Sequence, residues 1–179
     1  MALEHAILVS LTEQAATGYD LARRFDASIG YFWRASHQQI YKTLARMEAD
    51  GWVSATIEPR EGTADKKTYA ITDAGREELT RFTAEPSPRE ALRSDFAVKL
   101  RGLADVTAIV EDTRRRRADH VERLDRYEAS AKRHYPDPDA VEERERGAYL
   151  ALRGGILSER MGIAWCDEIL DQLETRSDR

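Results

Sequence analysis

A mainly α chain, with a small hairpin-bearing domain in front and a helical domain behind it, is what three features of the sequence predict. The stretch 36–52, SHQQIYKTLARMEADGW, has the start, the periodicity and the stop of one short helix. Two alternating segments follow it, and two prolines, Pro86 and Pro88, then introduce a long run of helical pattern. The 179 residues can bury one or two cores, and we divide them at this break into residues 1–85 and 86–179.

The first helix is expected over residues 3–13, where Leu3, Ala6, Ile7 and Leu11 share a face. Thr17-Gly18-Tyr19-Asp20 places a hydroxyl and a carboxylate three residues apart, so a second helix opens there with Leu21 and Phe25 as its apolar edge. Residues 26–35 form a turn whose Ile29, Tyr31, Phe32 and Trp33 are read as packing residues, because a small three-helix domain needs bulk to bury. In the central stretch Ser36 and Gln39 form a capping box, and Ile40, Leu44 and Met47 line one stripe. Gly51 followed by Trp52 suits a Schellman stop. His37, Gln38, Tyr41, Lys42 and Arg46 are left on the polar face.

Beyond Gly51 the period changes from helical to two: Val53, Ala55 and Ile57 alternate with Ser54, Thr56 and Glu58. A loop through Gly62 leads to a returning strand, KTYAIT, with Tyr69 and Ile71 inward, and Thr72 can cap a further helix with Leu79 and Phe82 in the core. Helix, helix, capped polar helix and hairpin is the order of a winged helix-turn-helix, whose second motif helix enters the DNA major groove.

The charge balance opposes this at first, since a net charge of −5 and a pI near 5.5 are not those of a generally basic DNA binder. A phosphate sees charge within about 8 Å at physiological salt, and residues 36–46 carry Lys42 and Arg46 with no carboxylate. The hairpin tip adds Arg60, Lys66 and Lys67 against Glu61 and Asp65. DNA binding is therefore expected to be weak away from specific sites and sharply salt-dependent.

The segments GYDLARRF, YFWRASHQQIYKTLARMEADGWV and KKTYAITDAGREEL, in this order and spacing, resemble the PadR family of bacterial transcriptional regulators. The likeness covers nearly the whole first domain, and LRSDFAVKL also resembles the start of the family's longer C-terminal region. Arg34 departs from the pattern, standing where the family usually has proline. The resemblance implies a repressor that binds an operator as a homodimer and is released by a small effector. On this chain it implies that Ser36, His37, Gln38, Tyr41 and Lys42 face the major groove, that Lys66 and Lys67 are wing contacts, and that Tyr19 touches the DNA backbone. The residue chemistry agrees in kind, since glutamine pairs with adenine, and lysine with guanine or phosphate.

In the second half, Ser87-Pro88-Arg89-Glu90 reads as a helix start, with Ala91, Leu92, Phe96, Leu100 and Leu103 as the apolar face. A long helix is expected over residues 105–134. Its run Arg114–Arg117 is flanked by Glu111, Asp112, Asp119 and Glu122, which predicts an intrahelical, solvated salt-bridge face rather than a nucleic-acid contact. His120 and His134 are too far apart in sequence for a helical metal pair and are read as surface or interface residues.

Asp137-Pro138 opens the last helix in this reading. There Tyr149, Leu152, Ile156, Ile163, Cys166, Leu170 and Leu173 follow a three-four alternation broken by Glu159, and Leu150, Leu157, Met161, Trp165 and Ile169 form a second apolar edge. One partner helix cannot cover both, so a homodimer is expected through Leu150, Leu152, Ile156, Leu157, Ile163 and Leu170, with a close crossing at Gly154-Gly155. The PadR resemblance implies an effector held in or beside this dimer region, often by aromatic side chains, which makes Phe96, Tyr149, Met161 and Trp165 the candidate contacts for a planar, aromatic or lipophilic effector.

One cysteine, Cys166, leaves no internal disulfide, and no stretch is long and apolar enough to span a membrane, so a cytoplasmic protein without metal or cofactor is expected. No HExxH, GxSxG, GxGxxG or P-loop pattern is present, which argues against an enzyme. The alternative reading is a winged-helix module that contacts other proteins without sequence-specific DNA binding.

Overall fold

The computed structural model describes residues 2–27, 35–59, 65–87 and 94–174, and it divides into two compact units, 1–89 and 90–179. The first unit runs α1 (Ala2–Glu13), β1 (Ala16–Thr17), α2 (Gly18–Ala27), α3 (His37–Ala49), β2 (Val53–Glu58), β3 (Lys66–Ile71) and α4 (Asp73–Ala84). The second runs α5 (Asp95–Gly102), α6 (Val106–His134), a 3-10 turn (Pro138–Ala140) and α7 (Glu143–Glu174). The predicted turn residues Ile29, Tyr31, Phe32 and Trp33, with Arg34, and the tip residues Arg60, Glu61 and Gly62 lie outside the described residues. So do Pro88, Arg89, Glu90, Ala91 and Leu92.

In the first unit, α1, α2 and α3 pack Ile7, Leu8, Leu11, Leu21, Phe25, Ile40, Leu44 and Met47 into one core, closed by Val53 and Tyr69 of the sheet. Leu8 belongs to this core although it lies off the predicted face, because α1 is covered on more than one side and buries Glu4, His5 and Ser10 as well. The sheet order is β1-β3-β2. The hairpin register sets Val53 opposite Ile71 and Ala55 opposite Tyr69. Two-residue β1 adds an edge strand, Ala16 to Tyr69 and Thr17 to Thr68, which a pattern search over longer runs passes by. The alternation fades toward the tip: Ile57 is exposed, not inward, because it pairs with Lys67 beyond the last core residue of the hairpin.

α4 begins as read, with the Thr72 hydroxyl accepting from Gly75 N–H at 3.1 Å. Phe82 is not in the core but partly exposed, stacked on the His5 ring at 3.8 Å. His5 Nε2 also meets Glu78 Oε1 at 2.9 Å, and Arg81 holds the same carboxylate at 2.6 Å. Arg81 first and His5 second hold the Glu78 carboxyl down to about 2, from an ordinary 4.5. The folded chain thus keeps this group ionised where the unfolded chain protonates it. Its stabilising contribution is complete above pH 4.5 and is lost as pH falls toward 2. Urea unfolding of Glu78→Gln is therefore expected to show less loss of stability between pH 4.5 and 2.5 than the parent; identical pH profiles would contradict the ion pair.

In the second unit, α5 is capped by Ser94, whose hydroxyl accepts from Ala97 N–H at 3.1 Å; the start read at Ser87-Pro88-Arg89-Glu90 runs into residues outside the described ones. Leu103 lies past its end in the left-handed region at φ 43°, partly exposed, so it is not on the helix face predicted for it. α6 opens on the Asp105 cap as expected. The Asp137-Pro138 signal caps only the 3-10 turn; Val141 is extended at ψ 118° and α7 starts after it.

α6 and α7 pack along each other. Gly155 lies under the Tyr127 ring, where an added Cβ would come within 3.2 Å, while Gly154 faces open space. The run Arg114–Arg117 is only half intrahelical. Arg115 and Arg116 turn to Asp112 at 3.6 and 3.8 Å, but Arg114 and Arg117 cross to Glu174 and Asp167 of α7 at 2.9 and 2.5 Å. Glu159, the break in the apolar stripe, meets His120 at 2.5 Å and Arg123 at 3.0 Å, so the interruption is a polar cross-link between the two helices.

Candidate nucleic-acid interface

α3 is set by its ends. Ser36, in extended backbone at ψ 155°, accepts from Gln39 N–H at 3.3 Å, and its own N–H donates to Gln39 Oε1 at 2.8 Å. At the other end Gly51 takes φ 76°, its N–H donates to Glu48 O at 3.1 Å, and Trp52 N–H donates to Met47 O at 2.9 Å, the two bonds of a Schellman stop. Ile40, Leu44 and Met47 are fully buried beneath it. With both ends fixed and one face anchored, the outward side chains are held on a rigid support.

Ser36, His37, Gln38, Tyr41 and Lys42 are all exposed on that side. The Tyr41 ring lies against the start of α2, where a Cβ on Gly18 would fall 2.4 Å from it, and Tyr19 beside it is 57% exposed. This contact brings the predicted α2 and α3 residues onto one surface. Arg46 differs from its neighbours, because it is ion-paired with Glu4 of α1. Lys66 and Lys67 open β3 at the tip end of the hairpin and are also tied: Lys66 to Glu58 at 3.8 Å, and Lys67 to Glu48 at 2.7 Å. The Glu48 carboxylate raises the Lys67 ammonium above its ordinary value. Glu4, Glu58 and Glu48 lie outside both residues 36–46 and the hairpin loop, and by pairing with these cations they make the surface less basic than the local sequence implies.

The four candidate effector residues do not form one site. Phe96 is buried edge-to-face against Trp165 at 5.5 Å, with the Arg116 guanidinium 4.2 Å from its ring centroid. Tyr149 instead packs on Tyr135 at 5.3 Å. It lies roughly 24 Å along α7 from Trp165 at 1.5 Å per residue. Met161 is 70% exposed. Beside Trp165, with Leu100 and Ile169, is a depression of about 190 Å³, smaller than the roughly 300–1,000 Å³ that encloses a drug-sized ligand. Of the six residues expected at a dimer interface, Leu152 and Ile156 are buried within the chain itself, Ile163 and Leu170 are half-buried, and Leu150 and Leu157 are exposed. No helix among the described residues is long and apolar enough to cross a membrane.

Two family models match, one described as "Transcriptional regulator PadR-like family" over residues 7–81 and one as "Virulence activator alpha C-term" over residues 92–174. A Mycobacterium tuberculosis protein named "Probable transcriptional regulator Rv1176c" is 50% identical over 188 residues, which cover 98% of this chain and all of that one. Among solved structures, the Vibrio cholerae virulence activator AphA is 31% identical with a TM-score of 0.80, covering 97% of this chain and 99% of its own. Bacillus subtilis PadR, named a negative transcriptional regulator, has the same fold in its complex with operator DNA, with a TM-score of 0.83 at 24% identity over 97% of this chain and 99% of that chain. It has also been solved with p-coumaric acid, with a TM-score of 0.75 over 96% of this chain and 95% of that one. With one relative sharing half its residues over nearly its entire length, and with both halves matched in order, this chain belongs to the PadR-like family of transcriptional regulators, which are not enzymes.

Proposed function

We propose that the chain is a repressor that binds an inverted-repeat operator as a homodimer and is released by a small aromatic or lipophilic effector. Residues 1–85 would bind DNA, and residues 86–179 would dimerise and receive the effector. The observation that carries the DNA reading is the outward row His37, Gln38, Tyr41 and Lys42 on a helix capped at both ends and anchored by three fully buried residues. Such a helix inserts as a rigid body into a groove about 12 Å wide. Two copies related by a two-fold axis would meet half-sites about 34 Å apart. The operator complex of the Bacillus subtilis protein supports the mode, and its p-coumaric acid complex supports the effector class.

For the effector, the Phe96–Trp165 pair with Arg116 over the ring is the best-supported contact, since it offers aromatic edges and one cation together. Phe96 is sealed in the chain as it stands, so the ligand would act by selecting an arrangement in which the pair opens. Ligand and operator must then weaken each other's binding by one factor.

Footprinting on the DNA upstream of the protein's own gene, with and without p-coumaric acid as a first probe, tests the whole reading. In that assay Gln38→Ala is expected to cost about 1–3 kcal/mol at one base pair of the protected site, if the amide reads a base. A loss spread evenly over unrelated sequences would assign Gln38 to the backbone instead. Absence of any protected DNA, together with capture of a protein by the same surface, would favour the interaction-module reading, which the carboxylates paired with Arg46 and Lys67 support.

A further inference from the structure

We infer that α5 is a releasable plug, which leaves the second unit as one piece by pivoting at Leu103 while α6 and α7 stay packed. Its eight residues are too few for a stable helix on their own, since isolated helices shorter than about 12–15 residues are marginal in water. One side chain docks it. Among residues 94–103 only Phe96 is buried, at 1% exposure; Ser94, Ala97 and Leu100 are half-buried and Val98 is 72% exposed. α6 and α7 pack along each other, whereas α5 runs along neither. Leu100 borders the depression of about 190 Å³ beside Trp165 and Ile169, so the seam on that side is not filled.

Two features oppose the docked state. Leu103 holds left-handed backbone at φ 43°, a conformation that suits glycine, and Gly102 stands one residue too early to take it. The Leu103 side chain is 40% exposed, so packing offsets little of this strain. Under the plug, Arg116 Nε is shielded from water without a hydrogen bond, and Asp112 Oδ2 stands 3.8 Å away. Lifting the Phe96 ring from the guanidinium lets water reach that donor. One buried aromatic set against a strained pivot and a desolvated donor gives an open state of about 0.1–10%. Opening bares a seat between Arg116 and Trp165, so Phe96 competes in cis with the ring of any ligand held there. It also changes the path of the chain. After α4 ends at Ala84, the next docked helix is then α6, from Val106, instead of α5, from Asp95. An effector that keeps α5 out thereby frees chain next to the DNA-binding unit; that consequence rests on the effector reading above, and the release of α5 does not.

The test uses the full chain without DNA or ligand, so its outcome is independent of both readings above. Amide hydrogen exchange is expected to be about tenfold or more faster in α5 than in α6 and α7 around Ile109 and Ile156, and saturation-transfer NMR should give the Trp165 indole N–H the same opening rate and population as the α5 amides. Phe96→Ala should speed α5 exchange by about 10²-fold or more and leave the α6 and α7 amides as in the parent. Leu103→Gly, which relieves the pivot, should make opening about three- to tenfold rarer. One shared rate for all three helices in the parent, or a joint loss of protection in Phe96→Ala, would make α5 part of a single cooperative core and overturn the plug. A static Trp165 beside exchanging α5 amides would reduce the motion to fraying with Phe96 in place, and an opening unchanged in Leu103→Gly would remove the pivot.

Discussion

Replacing Gly75 with alanine is expected to destabilise the first unit by about 2–3 kcal/mol, the scale of an overpacked site. In an ordinary helix interior the same exchange stabilises by about 1 kcal/mol. The sign reverses because of what surrounds the α-carbon. A Cβ there would fall 2.2 Å from the Trp52 carbonyl oxygen and 3.0 Å from Ile71 Cγ1. That carbonyl cannot retreat freely, since it accepts from Thr72 N–H at 3.1 Å, and the same residue's N–H closes α3 on Met47. Gly75 N–H is in turn the bond that Thr72 caps. The strain therefore falls on the joint between the end of α3, the sheet and α4. Urea unfolding at neutral pH is the measurement, and an unchanged or higher midpoint would mean that α4 does not approach Trp52 as described.

The parts of the fold legible in the sequence are those whose cause is local. Ser36 and Gln39 satisfy each other within one turn, Gly51 and Trp52 stop the helix within two residues, and Asp105 caps α6 at the residue expected. Errors arose where a local signal was real but tertiary packing decided the outcome. Asp137-Pro138 does start a turn, yet it is a 3-10 turn that Val141 ends. Phe82 has core periodicity but stacks at the surface on His5, whose burial in α1 no pattern in α4 could announce.

The site was half legible for the same reason. Which residues point outward from α3 follows from period alone, and all five do. Which of the nearby cations are matched by carboxylates does not, because Glu4 lies 42 residues from Arg46 and Glu48 lies 19 from Lys67. That the start of α2 lies beside β3 could not be read from any run of residues, because the two-residue strand β1 makes the link.

Under the proposed homodimer on an inverted repeat, Leu157→Glu is expected to leave the fold intact and to abolish dimerisation, with a loss of roughly 10²–10⁴ in affinity as the second half-site contact disappears. α7 divides its apolar residues between a covered and an exposed set. Leu152, Ile156, Cys166 and Ile169 are covered within the chain. Leu150, Leu157 and Met161 are 60, 56 and 70% exposed, one row along a single helix. Large apolar side chains scattered singly on a surface need no explanation, whereas a row repeated over several turns points to a partner. A carboxylate at the centre of that row has no counter-ion from its own symmetry mate, which would bring a second carboxylate to the same place. Because Leu157 is exposed in the single chain, its melting behaviour as a monomer should be unaffected, whereas Ile156→Ala, at 1% exposure, should cost about 2–5 kcal/mol. Sedimentation of both variants separates the effects. Leu157→Glu sedimenting as a monomer while Ile156→Ala loses stability supports an interface on the exposed row; a Leu157→Glu dimer that binds the operator as tightly as the parent places the interface elsewhere.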